Sequence, residues 1–466
     1  MPNVPVPIVG PTYTSRSKPV SAQQTKGFYI EISQVSENIS AFQSFPGLKS
    51  FATTGNGVNR GSGIFNNTYY TVTGSLLYSV SSAGVATSIG TIPGSGRCKL
   101  EEASSSLVIT TGTSKPYTYD GTTLTVGTDT DLPLASTSTY IGNRVVYDGN
   151  NSDVAFADLG SPLSVDSANI TSSDVKPDDI LAVYAYKQQM FAFGEESIVP
   201  YYPSGAGSPP YDIIQNATQE VGLGAIHSIA SNNNGVYFLG SDLMVYRMSG
   251  IQPQPIGNPA IGQAIAGYLE TSNAIGMCFS FHNQNFYLLS FPAGTSWLFS
   301  EGAGWTNLSY GVTDAPSLIS SYVYAYGKHL VADRSSGNVY ELDFDTFDDN
   351  GATIIRQRDT AKLSGKEFGF PGKEIFMDRL ELVVEAGIGL LTGQGSNPRI
   401  MMSYSDDGGR TWSRERWGYL GAQGDYTQRV EWHDLGSFRE RQFRFKVSDP
   451  VKVALISANA DISVGI

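Results

Sequence analysis

Residues 232–248 read NNNGVYFLGSDLMVYRM. An Asn-Gly step accepts the positive φ of a tight hairpin, and the apolar and aromatic runs on either side of Gly240-Ser241 are strand formers. The segment therefore predicts a turn, a buried strand, a second turn and a second strand. The same plan recurs in NNTYYTVTGSLLYSV from Asn66, SSSLVITTGTSKPYTYDG from Ser104, YIGNRVVYDGNNSDVAFAD from Tyr140 and YKQQMFAFGEESIVPYY from Tyr186. It appears again in FHNQNFYLLSFPAGTSWLFS from Phe281 and YAYGKHLVADRSSGNVYELD from Tyr324. Units repeating every ~36 to 50 residues match the period of four-stranded propeller blades. A single unit cannot bury both faces, so the units must stack on one another. The expectation is an all-β chain: a β-propeller of six to eight blades, seven being the number of repeats. An array of β-sandwiches satisfies the same pattern and stays open at this point.

Composition agrees. The 466 residues exceed the ~250 to 300 that one ordinary core supports, so the chain needs a repetitive architecture or two domains. Only 16% of residues are charged, 11% are aromatic and 51 are Gly. That excludes a coiled coil or helical bundle and fits a folded, turn-rich protein. Residues 1–20 carry five prolines without apolar periodicity, so 1–27 reads as an extended Pro-rich arm able to dock on a neighbour. Residues 28–369 read as the propeller. One helix is expected inside it: Asn258 caps, Pro259 opens, and Ile261, Ile265 and Leu269 fall on one face.

Residues 360–375 read as a linker, and 370–466 as a separate C-terminal β-sandwich-like module. Its strands are expected in RLELVVEAG, RIMMSYSDDG, TWSRERWGYL, RVEWHDLG, RQFRFKVSD and VKVALISANAD. In RQFRFKV the alternation of Phe443, Phe445 and Val447 with Arg444 and Lys446 is that of a half-buried strand.

Several of these stretches resemble a known family. SFPGLKSFATT (44–54), Arg60-Gly61, GSLLYSV after Gly74, PYTYDG ending at Gly121, FGEESIVPYYPSG (193–205), GLGAIHSIA (222–230) and LMVYRMSG (243–250) are similar, in this order, to the packaged-DNA stabilisation or tail hub proteins of short-tailed bacteriophages. The resemblance runs nearly end to end. It implies a structural, non-enzymatic virion tail component, assembled in the bacterial cytoplasm as a homohexameric ring below the portal and adaptor. It further implies a ring that closes the DNA channel, stabilises packaged DNA, carries the tail needle or plug and the tailspikes or fibres, and opens for genome ejection.

The charge distribution bears on that expectation. The net charge is −13, and residues 101–270 hold 18 carboxylates against 5 Lys and Arg. Gripping phosphate requires clustered cations, which this region lacks, so tight nucleic-acid binding is not expected. The sharper expectation is a wall past which double-stranded DNA slides without sticking, with Glu101, Glu102, Asp178, Asp179, Glu195 and Glu196 as candidate channel-facing residues. The blander one is ordinary surface solvation.

The chemistry-bearing motifs are few. Ser405-x-Asp407-x-Gly409-x-Thr411-Trp412 is an Asp-box, a hairpin whose carboxylate accepts backbone donors, and is read as structural. A sialidase-like or glycan-binding propeller acting on host polysaccharide is the alternative function, since Arg410, Arg414, Arg416, Arg439 and Arg441 lie close by in sequence. The histidines have no paired spacing and no nucleophile motif is present, so no catalytic residue, metal or cofactor is expected. Cys98 and Cys278 read as buried thiols. No apolar run is long enough for a membrane span.

Overall fold

The computed structural model describes residues 3–18, 20–33, 40–149, 151–173, 178–205 and 207–465. Among these residues the chain is almost wholly β, with one α-helix. Six four-stranded sheets stand apart. Five are consecutive meanders: 59–91, 99–126, 138–172, 180–213 and 230–255. Each sequence repeat supplies the second and third strands of its sheet, as in Thr68–Thr73 with Leu76–Val80.

The sixth sheet is assembled from both ends of the repeat region. Ile319–Ala325, Lys328–Asp333 and Asn338–Asp343 take their outermost strand from Gly47–Thr53, in antiparallel register from Leu342↔Leu48 to Asn338↔Thr53. This closure clasps the start of the repeat region to its end through backbone hydrogen bonds. It also means the repeats form a ring and not an array of sandwiches.

A further meander, Ile275–Phe281, Gln284–Ser290, Ser296–Ser300 and Gly304–Tyr310, has the same up-and-down order. It does not stand alone. Its outer strand is continued by Ala22–Lys26, then Arg356–Asp359, Glu440–Val447, Arg399–Ser405 and Arg416–Tyr419, giving one 12-stranded sheet. Six separate sheets thus fall within the expected six to eight blades but short of the seven repeats, because the N-terminal strand fuses this meander to the C-terminal module.

The innermost strands run in one direction. Backbone N–H groups of Val183 and Ala185 donate to the Thr137 and Thr139 hydroxyls of the preceding sheet, both at 2.9 Å. Neighbouring backbones approach so closely that a side chain would not fit: a Cβ on Gly276 would lie 1.8 Å from the Ser228 carbonyl oxygen. The helix Pro259–Ala266 is capped by Asn258, whose side-chain oxygen accepts from the Ala260 and Ile261 N–H groups, each at 3.0 Å. Ile261 and Ile265 bury against Leu239, Tyr287 and Trp297, between adjacent sheets. Leu269 departs from the expected helical face. The helix ends at Gly267, and Leu269 is 99% exposed.

The C-terminal module is a sandwich, and its boundaries differ from the sequence reading in two places. All six expected strands form. One layer of the sandwich is the part of the 12-stranded sheet beyond Ala22; the other contains Ile375–Val384, Ala454–Val464 and Val430–His433. Between them pack Leu380, Ile400, Met402, Trp432, Phe443 and Phe445. Arg356–Asp359 already belongs to this module, so it starts before the expected linker. The segment 1–27 is not a free arm either: Asn3–Val6 pairs with Ala454–Val464, and Ala22–Lys26 pairs with Arg356–Asp359. Phe28–Ile32 and Ser40–Ser44 extend the same module, so the propeller starts at Gly47 and not at residue 28.

Arg358 holds this return of the N-terminus. Its side chain is 1% exposed and donates to the Ile8 carbonyl (2.7 Å), the Pro11 carbonyl (3.3 Å), the Gln23 side-chain oxygen (2.8 Å) and the Thr25 hydroxyl (2.9 Å). Burial lowers its guanidinium to about 9, against the opposing pull of Asp359. The sequence gives no sign of this, because its partners, two backbone carbonyls and two side-chain oxygens, lie more than 330 residues away in the chain.

Two outcomes follow from this packing. Arg358→Ala orphans buried acceptors at about 1–3 kcal/mol each, so the variant should melt lower and be cut by trypsin at the exposed Arg16 and Lys18 faster than the parent chain. Gly276→Val forces backbone apart and should lower the melting temperature by more than about 5 °C. Gly96→Ala, where a Cβ meets nothing within 4 Å, should leave it unchanged.

Candidate functional site

The innermost strands enclose a cavity of about 250 Å³ on the propeller axis. Each of the six separate sheets contributes, as does the Ile275–Tyr310 meander: Gly61, Leu100, Thr137, Val183, Ala230, Gly276 and Ser321 all line it. Its positive charge comes from Arg97 and Lys99, and His227 lies beside them. Arg97 and Lys99 alternate with Cys98 and Leu100, whose side chains pack into the apolar layer between sheets, so the two cations share the opposite, axial face.

Electrostatics in this cavity are net positive. Arg97 donates to the Ser320 carbonyl at 2.9 Å, and burial lowers its guanidinium to about 10. Lys99 lies 3.4 Å from the Glu101 carboxylate and 5.7 Å from the centre of the Tyr184 ring. Burial disfavours its charge, but Glu101 outweighs this and its pKa is raised. Burial, then the repulsion of Arg97 and Lys99, holds the His227 imidazole down at about 3, so it is neutral at ordinary pH. Cys98, also lining the cavity, is pushed up to about 11 by burial, so its thiol is not a nucleophile at neutral pH. Cys278 is shifted up in the same way; it is only half-buried, less than the sequence suggests.

The six candidate channel-facing carboxylates do not gather in one patch. Glu101 and Glu102 end an innermost strand, whereas Asp178 and Asp179 precede one, and Glu195 and Glu196 occupy the turn beside that start. With the inner strands running the same way, the two groups sit at opposite rims. Asp178 is corrected most clearly. It is buried, accepting the Glu196 N–H (3.1 Å) and the Ser197 hydroxyl (2.8 Å), so its carboxylate is spent on anchoring a turn. Glu101 is tied to Lys99, and Glu102 accepts the Asn66 N–H at 2.9 Å. Asp179, Glu195 and Glu196 are exposed.

The Asp-box residues lie together on the sandwich. Asp407 accepts from the Ser405 hydroxyl (2.7 Å), the Arg410 N–H (2.9 Å), the Thr411 N–H (2.9 Å) and the Thr411 hydroxyl (2.6 Å). Those donors, the Thr411 hydroxyl first, hold its carboxyl far below the usual range. Gly409 takes φ +81° and donates to the Ser405 hydroxyl oxygen at 2.8 Å. Trp412 lies under the Arg444 guanidinium, 3.9 Å from the ring centre, and Arg444 in turn grips Asp359 through two 2.7 Å bonds. With every lone pair of Asp407 committed, the arrangement shapes a hairpin.

The arginines that a sialidase-like reading needs do not converge. Arg441 binds Asp406 through two 2.7 Å bonds, Arg416 donates to the His433 and Asp434 carbonyls, and Arg410 donates to the Asp407 carbonyl. No group of three or more His, Cys, Asp or Glu among the described residues is arranged to hold a metal ion. No helix among them is long and apolar enough to cross a membrane.

What the sequence reading missed is the axial pair Arg97 and Lys99 with His227. The only available signal was two cations two residues apart in a chain segment otherwise dominated by carboxylates, and nothing linear connects them to residue 227.

Among solved structures, the designed Ika8 protein is 8% identical over 63% of this chain and 99% of its own, with a TM-score of 0.42. Virginiamycin B lyase from Staphylococcus aureus is 9% identical over 63% and 98%, TM-score 0.44. BamB from Moraxella catarrhalis is 10% identical over 69% and 97%, TM-score 0.38. No curated protein matches the chain. Two family profiles do: bacteriophage P22 Gp10, beta-propeller, over residues 13–347, and bacteriophage P22 Gp10, beta-sandwich, over residues 367–463. Both parts of the chain, in their order, are accounted for, and the chain belongs to the bacteriophage P22 Gp10 family of tail hub and DNA-stabilisation proteins.

Proposed function

We propose that this phage tail protein is the ring-forming hub, or nozzle, below the portal and adaptor, and that it works without bond-breaking chemistry. The observation that carries the reading is the match of both the propeller and the sandwich to one family, covering 13–347 and 367–463. The fold suits a mechanical part. The Gly47–Thr53 closure and the 12-stranded sheet tie propeller, sandwich and N-terminal segment into one continuous hydrogen-bonded body. In this reading the Ile275–Tyr310 meander, with the same strand order, serves as a seventh blade beside the six separate sheets.

In this reading six copies form a closed ring, each contact burying well over ~1,000 Å². The ring closes the DNA channel after packaging, holds the needle or plug and the tailspikes or fibres, and opens at ejection. Assembly takes place in the host cytoplasm. The exposed carboxylates Asp179, Glu195 and Glu196 face the lumen, where like charge keeps phosphate from adhering. Such a lumen lowers friction for DNA instead of gripping it.

Electron microscopy of the purified chain mixed with its own virus's portal–adaptor complex tests this. The expected outcome is a six-fold ring beneath the adaptor, with Asp179, Glu195 and Glu196 on its inner wall. A chain that stays unassociated under those conditions overturns the hub reading, and carboxylates on the outer wall overturn the lumen assignment. Release of reducing sugar from host polysaccharide by the parent protein, lost on a single substitution, would establish the enzymatic alternative instead.

A further inference from the structure

The axial cavity carries more positive charge than its own groups neutralise. Two cations, Arg97 and Lys99, enter it, and among the described residues only the half-buried Glu101 pairs with either. Arg97 spends one nitrogen on the Ser320 carbonyl, while its Nε is shut away from solvent without a hydrogen-bond partner. Arg334 stands beside it and adds to the positive field felt by Arg97. Its Nη2 donates to the Ser290 hydroxyl and the Ile319 carbonyl, and its Nε and Nη1 are likewise buried and unpartnered.

A buried donor without an acceptor costs about 1–3 kcal/mol, more when charged, so natural proteins rarely leave several together. Arg60 makes the contrast. Its guanidinium, close in sequence to the same rim, is fully spent on the carbonyls of Gly74, Ile92, Pro93 and Gly96, at 2.6 to 3.1 Å. That arginine is a structural pin, whereas Arg97 and Arg334 hold donors in reserve. Around the cavity, the neutral His227 and the Ser231, Ser320 and Ser321 side chains supply further polar atoms.

We infer that the propeller axis is a binding site for a phosphate-class oxyanion, held by Arg97 and Lys99 with Arg334 behind them and His227 opposite. The shared chemistry is a dianionic phosphate group with several acceptor oxygens, matching the charge-assisted donors that line the cavity. A free phosphate ion and the phosphate of a mononucleotide both present it. The site is separate from any ring lumen, since it lies within one chain, and it does not depend on the tail reading.

The test uses the full-length protein at fixed ionic strength, with chloride replaced stepwise by inorganic phosphate in one arm and by thymidine monophosphate in the other. Titration calorimetry should give one site per chain, and the melting temperature should rise with ligand concentration as linkage requires. Binding of phosphate alone identifies the free ion as the ligand; binding of both, with the nucleotide tighter, identifies a nucleotide. Arg97→Gln and Lys99→Met should each weaken binding at least tenfold, while Lys446→Met, at the surface ion pair with Glu415, should not change it. In the unaltered protein, the His227 ring signal gives a second readout: its titration midpoint should move upward once an anion offsets Arg97 and Lys99. The absence of a heat and of a melting shift relative to chloride, or binding that survives both axial substitutions, overturns the inference.

Discussion

Closure of the ring is the constraint from which the rest of this structure follows. The last sheet is incomplete until Gly47–Thr53 supplies its outer strand, and the residues that meet are almost three hundred positions apart. Until that pairing forms, the first and last sheets present open edges and unburied faces; afterwards each inner strand has neighbours on both sides. Long-range pairing is slow to find because the loop entropy is lost before the contact forms. The apolar layers between sheets, such as Phe193 against Phe238 and Phe156 against Tyr211, reward it only when the circle is complete.

The same economy joins the two lobes. Strand Ala22–Lys26 lies between the outer strand of one meander and Arg356–Asp359 of the sandwich, so one stretch joins both lobes into a single sheet. Arg358 and Gln442 reinforce it from the sandwich side, Gln442 donating to the Ala22 and Thr360 carbonyls at 2.9 Å. The N-terminal prolines make sense in this setting. They fix an extended path and need few donors, and the acceptors they leave are met by a buried guanidinium. A body built this way transmits load between propeller and sandwich through backbone hydrogen bonds, a property suited to a part of a tail.

Burial also sets the electrostatics. Most carboxylates of the acidic segment serve local turns: Asp148 accepts the N–H groups of Ser136 (3.0 Å) and Thr137 (2.6 Å), and Asp178 does the same for a neighbouring turn. Burial raises Asp148 to about 6 despite those bonds. Most described carboxylates of the segment are exposed and only Asp148 and Asp178 are buried, while the axis is positive. Net charge along the chain gave no hint of this inversion, because Arg97 and Lys99 stand just ahead of the acidic segment and only the fold carries them onto the axis.

Much of the fold was legible in linear order. The repeats located the second and third strands of each sheet, because buried hairpins leave an apolar run, a Gly-containing turn and another run. The helix cap at Asn258, the alternation at Phe443–Val447 and the Asp-box hairpin were equally readable, since each rests on neighbours within a few residues. Leu269 misled because four-residue spacing continues past the Gly267 stop. The role of residues 1–44, the fusion of one meander to the sandwich, the scattering of the six carboxylates over opposite rims and the meeting of Arg97, Lys99 and His227 were decided by tertiary structure alone. Local pattern fixes which face of a strand is apolar; only the closing of the ring determines which strand ends, and therefore which charges, come together on its axis.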